Sequence, residues 1–177
     1  MHNKEEMILF TSNQIQEKIN ELAKTIANEY VDKKLAMVCV LNGGYMFFSD
    51  LSKALWSAGL EAFEVDFVRV SSYGGKRESS GKPIMTKDIE TALEGKDVLI
   101  VDDIIETGHT VKFLKEKIEK RNPSSVKICT LLSKSLRKVE IEPDYVGFEV
   151  QPDDWVEGYG LDTASFGRGR SDIIKRV

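Results

Sequence analysis

The sequence predicts an α/β fold, a mainly parallel central sheet flanked by helices, on three observations. Continuous apolar runs of strand length recur along the chain, amphipathic helical stretches separate them, and several runs end in polar or glycine-rich turns. Strands buried on both faces and joined through helices belong to parallel sheets.

The first element is an amphipathic helix over residues 11–34, with Ile15, Ile19, Leu22, Ile26 and Tyr30 three or four apart. Thr11 and Gln14 have capping-box spacing at its start. Residues 36–41 form an apolar run suited to a buried strand, broken by Asn42, Gly43 and Gly44, and a second helical stretch follows to about Ala58. Residues 63–70 read as another strand. Residues 71–87 are polar, with three glycines and one proline, and predict a mobile loop. A third strand over 97–101 ends in Asp102 and Asp103. A helix over 111–120 follows, stopped at Asn122 and Pro123, then a strand over 126–132 and a shorter run over 146–150. No repeat interrupts the order, and 177 residues suit one domain spanning 1–177.

Composition bounds the function. A formal net charge of −4 argues against nucleic acid as a partner, because broad electrostatic attraction to phosphate is missing. No apolar run approaches the roughly 18 residues of a membrane span, so no membrane partner is expected. The first residues carry acids and lack the apolar stretch of a signal peptide, so the expected location is cytoplasmic. Cys39 and Cys129 lie inside apolar strands and read as buried structural thiols.

Ligands of open α/β sheets bind beyond the carboxyl ends of the strands. Here those ends are Asn42-Gly43-Gly44, residues 102–110, and Ser133-Lys134. The middle one carries the chemistry. Four apolar residues, Val98 to Val101, deliver two adjacent carboxylates, and a turn then supplies Thr107, Gly108 and Thr110 just before a helix. The glycine lets backbone approach a ligand, and hydroxyls with the free N–H groups of a helix start hold phosphate. Two acids beside a phosphate cradle repel it unless they face hydroxyls or a metal. A ribose 5-phosphate meets that need, with Mg²⁺ relieving the remaining repulsion.

This stretch resembles the phosphoribosyl pyrophosphate motif of the type I phosphoribosyltransferases. From about Ala36 to Arg168 the chain is similar to the hypoxanthine-guanine branch of that family. The resemblance rests on Leu41-Asn42-Gly43-Gly44-Tyr45, Val65-Asp66-Phe67-Val68-Arg69, Ser72-Tyr73, the acidic motif, Leu131-Leu132-Ser133-Lys134, residues 143–149 and residues 155–162, in that order.

The resemblance implies a type I phosphoribosyltransferase fold with a small hood from the N-terminal segment and roughly residues 135–177. It implies transfer of the phosphoribosyl group from phosphoribosyl pyrophosphate to N9 of hypoxanthine or guanine, giving IMP or GMP and pyrophosphate. Mg²⁺ is the implied cofactor, and a homodimer or homotetramer the implied assembly. Asp102 and Asp103 approach the ribose and its metal, and Glu106, Thr107, Gly108, His109 and Thr110 cradle the 5-phosphate. Asn42, Gly43 and Gly44 meet pyrophosphate in a loop where the family often has a non-proline cis peptide. Arg168 is the pyrophosphate-binding arginine, with Arg170 as the alternative. Lys134 reads the purine O6, and an ammonium, which only donates, favours a 6-oxo base. Trp155 stacks on the ring, the Val156 backbone meets the base edge, and Asp162 adds to the metal side with Asp102 and Asp103. Ser72 and Tyr73 begin a lid.

Two positions depart from the family pattern. Glu106 stands where aspartate usually acts as the base that takes the purine N7 proton, and Asn42 stands where many relatives have lysine. His109 is expected to be a loop member offering its backbone N–H, not a catalytic acid or base. Arg69 reads equally as a subunit-interface residue or a strand charge. A xanthine- or guanine-preferring transferase is the nearest rival, and a non-catalytic nucleotide- or RNA-binding regulator is a rival of another class. A dinucleotide-binding protein lacks support, since no G-x-G-x-x-G follows a strand.

Overall fold

The computed structural model describes residues 6–72, 83–134 and 140–176. Its centre is a six-stranded sheet. In chain order the strands are β2 (Leu35–Leu41), β3 (Phe63–Ser72), β4 (Pro83–Lys87), β5 (Asp97–Ile105), β6 (Ser125–Lys134) and β7 (Tyr145–Val150). They lie side by side as β4-β3-β2-β5-β6-β7. Every neighbouring pair is parallel except β3 with β4. A mainly parallel sheet is therefore observed.

Period-two alternation explains why these strands are apolar throughout. In β2, Leu35, Met37 and Cys39 face one layer with Leu99, Val101, Cys129 and Leu131. Helices α1 (Ser12–Tyr30) and α2 (Tyr45–Ser57) cover that layer through Ile15, Ile19, Ile26, Phe47 and Leu51. Ala36, Val38 and Val40 face the opposite layer, which α3 (His109–Glu119) closes with Val111, Leu114 and Ile118.

Helix α1 starts with the expected capping box. The Gln14 side chain accepts from the Thr11 backbone N–H at 2.9 Å, while Thr11 Oγ1 accepts from the Gln14 N–H. The helix stops at Tyr30, four residues short of the expected end. Tyr30 is its last buried position, and the exposed residues 31–34 turn the chain into β2.

The mobile loop expected over 71–87 is corrected at both ends. Strand β3 runs on to Ser72, and Pro83–Lys87 forms β4, paired Val70↔Met85 and Ser71↔Ile84. Pro83 opens an edge strand, where its missing N–H costs no ladder bond. The rest of that stretch, residues 73–82, lies outside the described residues, and with it Tyr73, one of the two expected lid residues. Strand β5 also runs further than expected, to Ile105, so Asp102 and Asp103 belong to the strand itself.

Three short strands were not anticipated. β1 (Glu6–Phe10), β8 (Trp155–Glu157) and β9 (Ile173–Arg176) make an antiparallel sheet in the order β1-β9-β8. It joins the two ends of the described chain. The Arg176 guanidinium donates twice to buried Glu157, each at 2.8 Å, and also pairs with Glu6 at 3.6 Å.

Candidate active site

Strands β2, β5 and β6 are adjacent and parallel, so their carboxyl ends open on one edge. The turn after β2 begins with a cis Leu41-Asn42 peptide. Gly43 then passes the end of β5 so closely that a Cβ there would lie 1.8 Å from Asp103 Oδ2. Only glycine fits, and the Asp103 carboxyl rests on the backbone of this turn. The chain at Gly160 closes over the same place, its Cα facing the Gly43 carbonyl, where a Cβ would meet that oxygen at 2.2 Å.

Beyond β5, Glu106 and Thr107 lead to Gly108, whose φ of 80° is left-handed, and α3 begins at once. No side chain caps α3 and its first turn carries no acid, so its first amides stay available to an anion. Segment 140–141 braces this turn. The Glu140 N–H donates to the Thr107 carbonyl at 3.0 Å, and its carboxylate accepts from Lys112 Nζ at 2.5 Å. His109 Nδ1 lies 3.1 Å from Thr107 Oγ1, and its Nε2 is 3.6 Å from Glu140. The imidazole thus serves the turn, in keeping with a loop role.

Two clefts meet at this edge. One, of about 240 Å³, is lined by Asp102, Ile104, Ile105 and the whole turn from Glu106 to Val111. The other, of about 200 Å³, is lined by Asp103, Ile104, Glu106, Lys134, Asp154, Trp155, Val156, Leu161 and Asp162. Ile104 and Glu106 belong to both, so they form the shared wall. The expected phosphate residues therefore gather in one cleft and the expected purine residues in the next.

The acids are electrostatically tense. Burial pushes the Asp102 carboxyl well above the ordinary carboxylate range, and its neighbour Asp103 adds to the effect. Asp103 is also raised, chiefly by burial, although a hydrogen bond with the Asp102 side chain, two backbone N–H groups and Arg168 oppose the shift. The Asp103 N–H donates to Asp102 Oδ1 at 3.0 Å, and the Ile104 N–H to Asp103 Oδ1 at 2.9 Å. These bonds do not neutralise the pair.

Arg168 donates from Nη1 to the Gly160 carbonyl at 2.6 Å and pairs through Nη2 with Asp162. That contact sets it beside the Gly43 turn. Arg170 is committed elsewhere, to Asp172 at 2.9 Å and Glu6 at 3.4 Å. Lys134 Nζ pairs with Glu106. Trp155 is 59% exposed, its indole N–H donating to Thr163 Oγ1 at 2.9 Å, which leaves the ring on the cleft rim. Among the described residues, no group of three or more His, Cys, Asp or Glu is placed to hold a metal by itself. Asp102, Asp103 and Asp162 therefore make no closed cage, and Asp162 is tied to Arg168.

Sequence reasoning missed Ile104 as the wall between the clefts, although it sits inside the motif. It also missed Asp154, buried behind Trp155 and paired with Lys175 of β9. Nothing local marks that partnership, because it spans the small sheet.

Comparison with known proteins identifies this architecture. The family model for the phosphoribosyl transferase domain matches residues 9–163. The hypoxanthine-guanine phosphoribosyltransferase of Bacillus subtilis (strain 168) is 44% identical over 160 residues, covering 90% of this chain and 86% of that protein. The bifunctional protein TilS/HprT of Listeria monocytogenes is 44% identical over 165 residues, and this chain spans only about a quarter of its length (25%). The crystal structure of a hypoxanthine phosphoribosyltransferase from Staphylococcus aureus superposes with a TM-score of 0.89 at 39% identity, covering 100% of this chain and 94% of that one. With a domain match across most of its length and relatives this similar, the chain belongs to the phosphoribosyltransferase family, in its hypoxanthine-guanine branch.

Proposed function

We propose that the chain is a purine salvage transferase, moving the 5-phosphoribosyl group from phosphoribosyl pyrophosphate to N9 of hypoxanthine or guanine. The products are IMP or GMP and pyrophosphate. The observation that carries this reading is the pair of adjoining clefts, an anion-ready turn on one side of Ile104 and a lysine with an indole on the other.

The 5-phosphate sits on residues 106–110, where the α3 amides and the Thr107 and Thr110 hydroxyls donate to it. The ribose hydroxyls face Asp102 and Asp103. Pyrophosphate lies against Asn42, Gly43 and Gly44, with Arg168 supplying the cation that Asn42 lacks. Arg168 is preferred to Arg170 because its guanidinium lies at the Gly43 turn. The purine rests on Trp155, with its O6 toward Lys134 and its edge toward the Val156 backbone. Ser72 and Tyr73 begin a lid over pyrophosphate. The small β1-β9-β8 sheet and the segment that leads into it form the hood.

The donor set suits Mg²⁺. Two buried carboxyls held above their ordinary range call for a cation, and Mg²⁺ binds through one or two carboxylates while substrate oxygens and water complete its shell. Asp102 and Asp103 would hold the ion, with Asp162 as a further metal-side acid, and the ion would supply charge stabilisation to the departing pyrophosphate. Arg168 adds to that stabilisation. Glu106 takes the N7 proton as N9 attacks the anomeric carbon, and the walls of both clefts keep water from the oxocarbenium-like centre.

No helix of the described residues is long and apolar enough to cross a membrane, and a cytoplasmic location is part of the proposal. A homodimer or homotetramer is the proposed assembly, to be checked by sedimentation. The deciding experiment is steady-state turnover of hypoxanthine, guanine and xanthine with phosphoribosyl pyrophosphate and Mg²⁺. Activity on the first two is expected. Absence of turnover by folded protein, or xanthine as the best substrate, overturns the proposal.

A further inference from the structure

We propose that Glu106 and Lys134 form a latch across the purine cleft which an incoming oxopurine must open, so that the longer arm of Glu106 sets how tightly the base is held. The inference rests on the reading of the chain as an oxopurine transferase and goes beyond the role of Glu106 as a base.

Strands β5 and β6 are parallel neighbours in register, with Ile105 opposite Ser133. Glu106 and Lys134 are the next residues on each side, and their side chains meet as an ion pair within the cleft that also holds Trp155 and Val156. The Lys134 side chain is only 13% exposed, so its ammonium depends on protein groups for partners, whereas Glu106 is 54% exposed. The nearby acid Asp154 already has Lys175 as its partner. The latch therefore couples a sheltered cation to a carboxylate on the exposed side of a turn.

An ammonium carries three donors and no acceptor. A purine O6 that reaches it must displace a full anion with a neutral carbonyl, so the closed pair competes directly with the base. A base lacking the 6-oxo group offers nothing in exchange and leaves the latch shut. One methylene fewer, as in aspartate, draws the carboxylate back and removes the competitor while keeping an acid near N7. The carboxylate freed by the opening is then the group that faces the N7 proton, so opening and proton transfer share one residue.

The test measures KM for hypoxanthine at saturating phosphoribosyl pyrophosphate and Mg²⁺, in wild type, Glu106→Asp and Glu106→Gln. A partly exposed pair of this kind corresponds to a KM about two- to five-fold lower in both variants, whatever happens to kcat. Salt gives an independent readout on the unaltered protein. Raising NaCl from low to physiological levels screens the pair and lowers the wild-type KM, while the KM of both variants stays level or rises. A KM that is unchanged or higher in both variants, or a wild-type salt response no different from theirs, overturns the latch. Wild-type turnover of hypoxanthine is measured first. Its absence defeats the functional reading, whereas turnover with an unmoved KM defeats the latch alone.

Discussion

Asp66 on β3 and the Asp102–Asp103 pair on β5 are acids of the same sheet, and their carboxyls shift in opposite directions. Burial works to raise Asp66 as well, but backbone N–H groups of Thr91, Phe67 and Glu90 outweigh it and hold the carboxyl at about 2. Those donors lie 2.6 Å away at Phe67 and 2.7 Å at Glu90 and Thr91, with Lys87 at 3.4 Å. Asp66 is thus a fastener, tying β3 to the segment before β5. Asp102 and Asp103 have too few donors for two charges, and burial wins. A satisfied buried acid stabilises a fold, and an unsatisfied pair is kept where a ligand will satisfy it.

That contrast can be broken at its tightest point first. Gly43→Val drives a side chain into the Asp103 carboxyl, and turnover is expected to fall by about 10²-fold or more, read by steady-state kinetics. Asp102→Asn should lower turnover by about 10²-fold while raising the melting temperature in Mg²⁺-free buffer, because one buried charge is removed. A fall in melting temperature would place Asp102 with Asp66 instead. Asp66→Asn should do the reverse, keeping kcat/KM within about two-fold and lowering the melting temperature. A loss of about 2 kcal/mol corresponds to about 4–8 °C for a domain of this size.

The pH dependence sharpens the same contrast. The folded Asp66 carboxyl is depressed from 3.8 to about 2, so its contribution is present above the unfolded value and is lost as pH falls from about 4 to about 2. The raised Asp102–Asp103 pair acts with the opposite sign. Its penalty is absent in acid and grows as pH rises above the unfolded value. Chemical-denaturation midpoints across this range should show a decline towards pH 2 that Asp66→Asn lacks, and Mg²⁺ should stabilise the protein at neutral pH. The smallest effect concerns the thiols. Burial pushes Cys39 up to about 12 and Cys129 higher still, so neither should react with iodoacetamide in the native state at pH 7.5.

Much of this was legible before the structure. Runs such as residues 36–41 and 98–101 announce strands buried on both faces, since few other elements of a small domain tolerate four to six apolar residues in a row. The turn after β5 stood out for a similar reason, as acids, glycine and hydroxyls in so short a stretch suit a sugar phosphate, the ligand proposed for it. Short outlying strands were not legible. Pro83–Lys87 and Ile173–Arg176 carry mixed sequences whose pairing depends on a distant strand already being in place. The choice between Arg168 and Arg170 was likewise invisible, since both sit in one Gly-Arg-Gly-Arg run and differ only in what lies opposite them.

By itself, then, the sequence determined five strands of the central sheet, their helical cover and which residues could meet a sugar phosphate, because periodicity and side-chain chemistry act over a few residues. Only the tertiary structure decided how those groups share space. It set Asp103 against Gly43, divided the edge into two clefts at Ile104, and brought Glu106 onto Lys134. Those outcomes depend on strand order and register, through which residues far apart in the chain come within bonding distance.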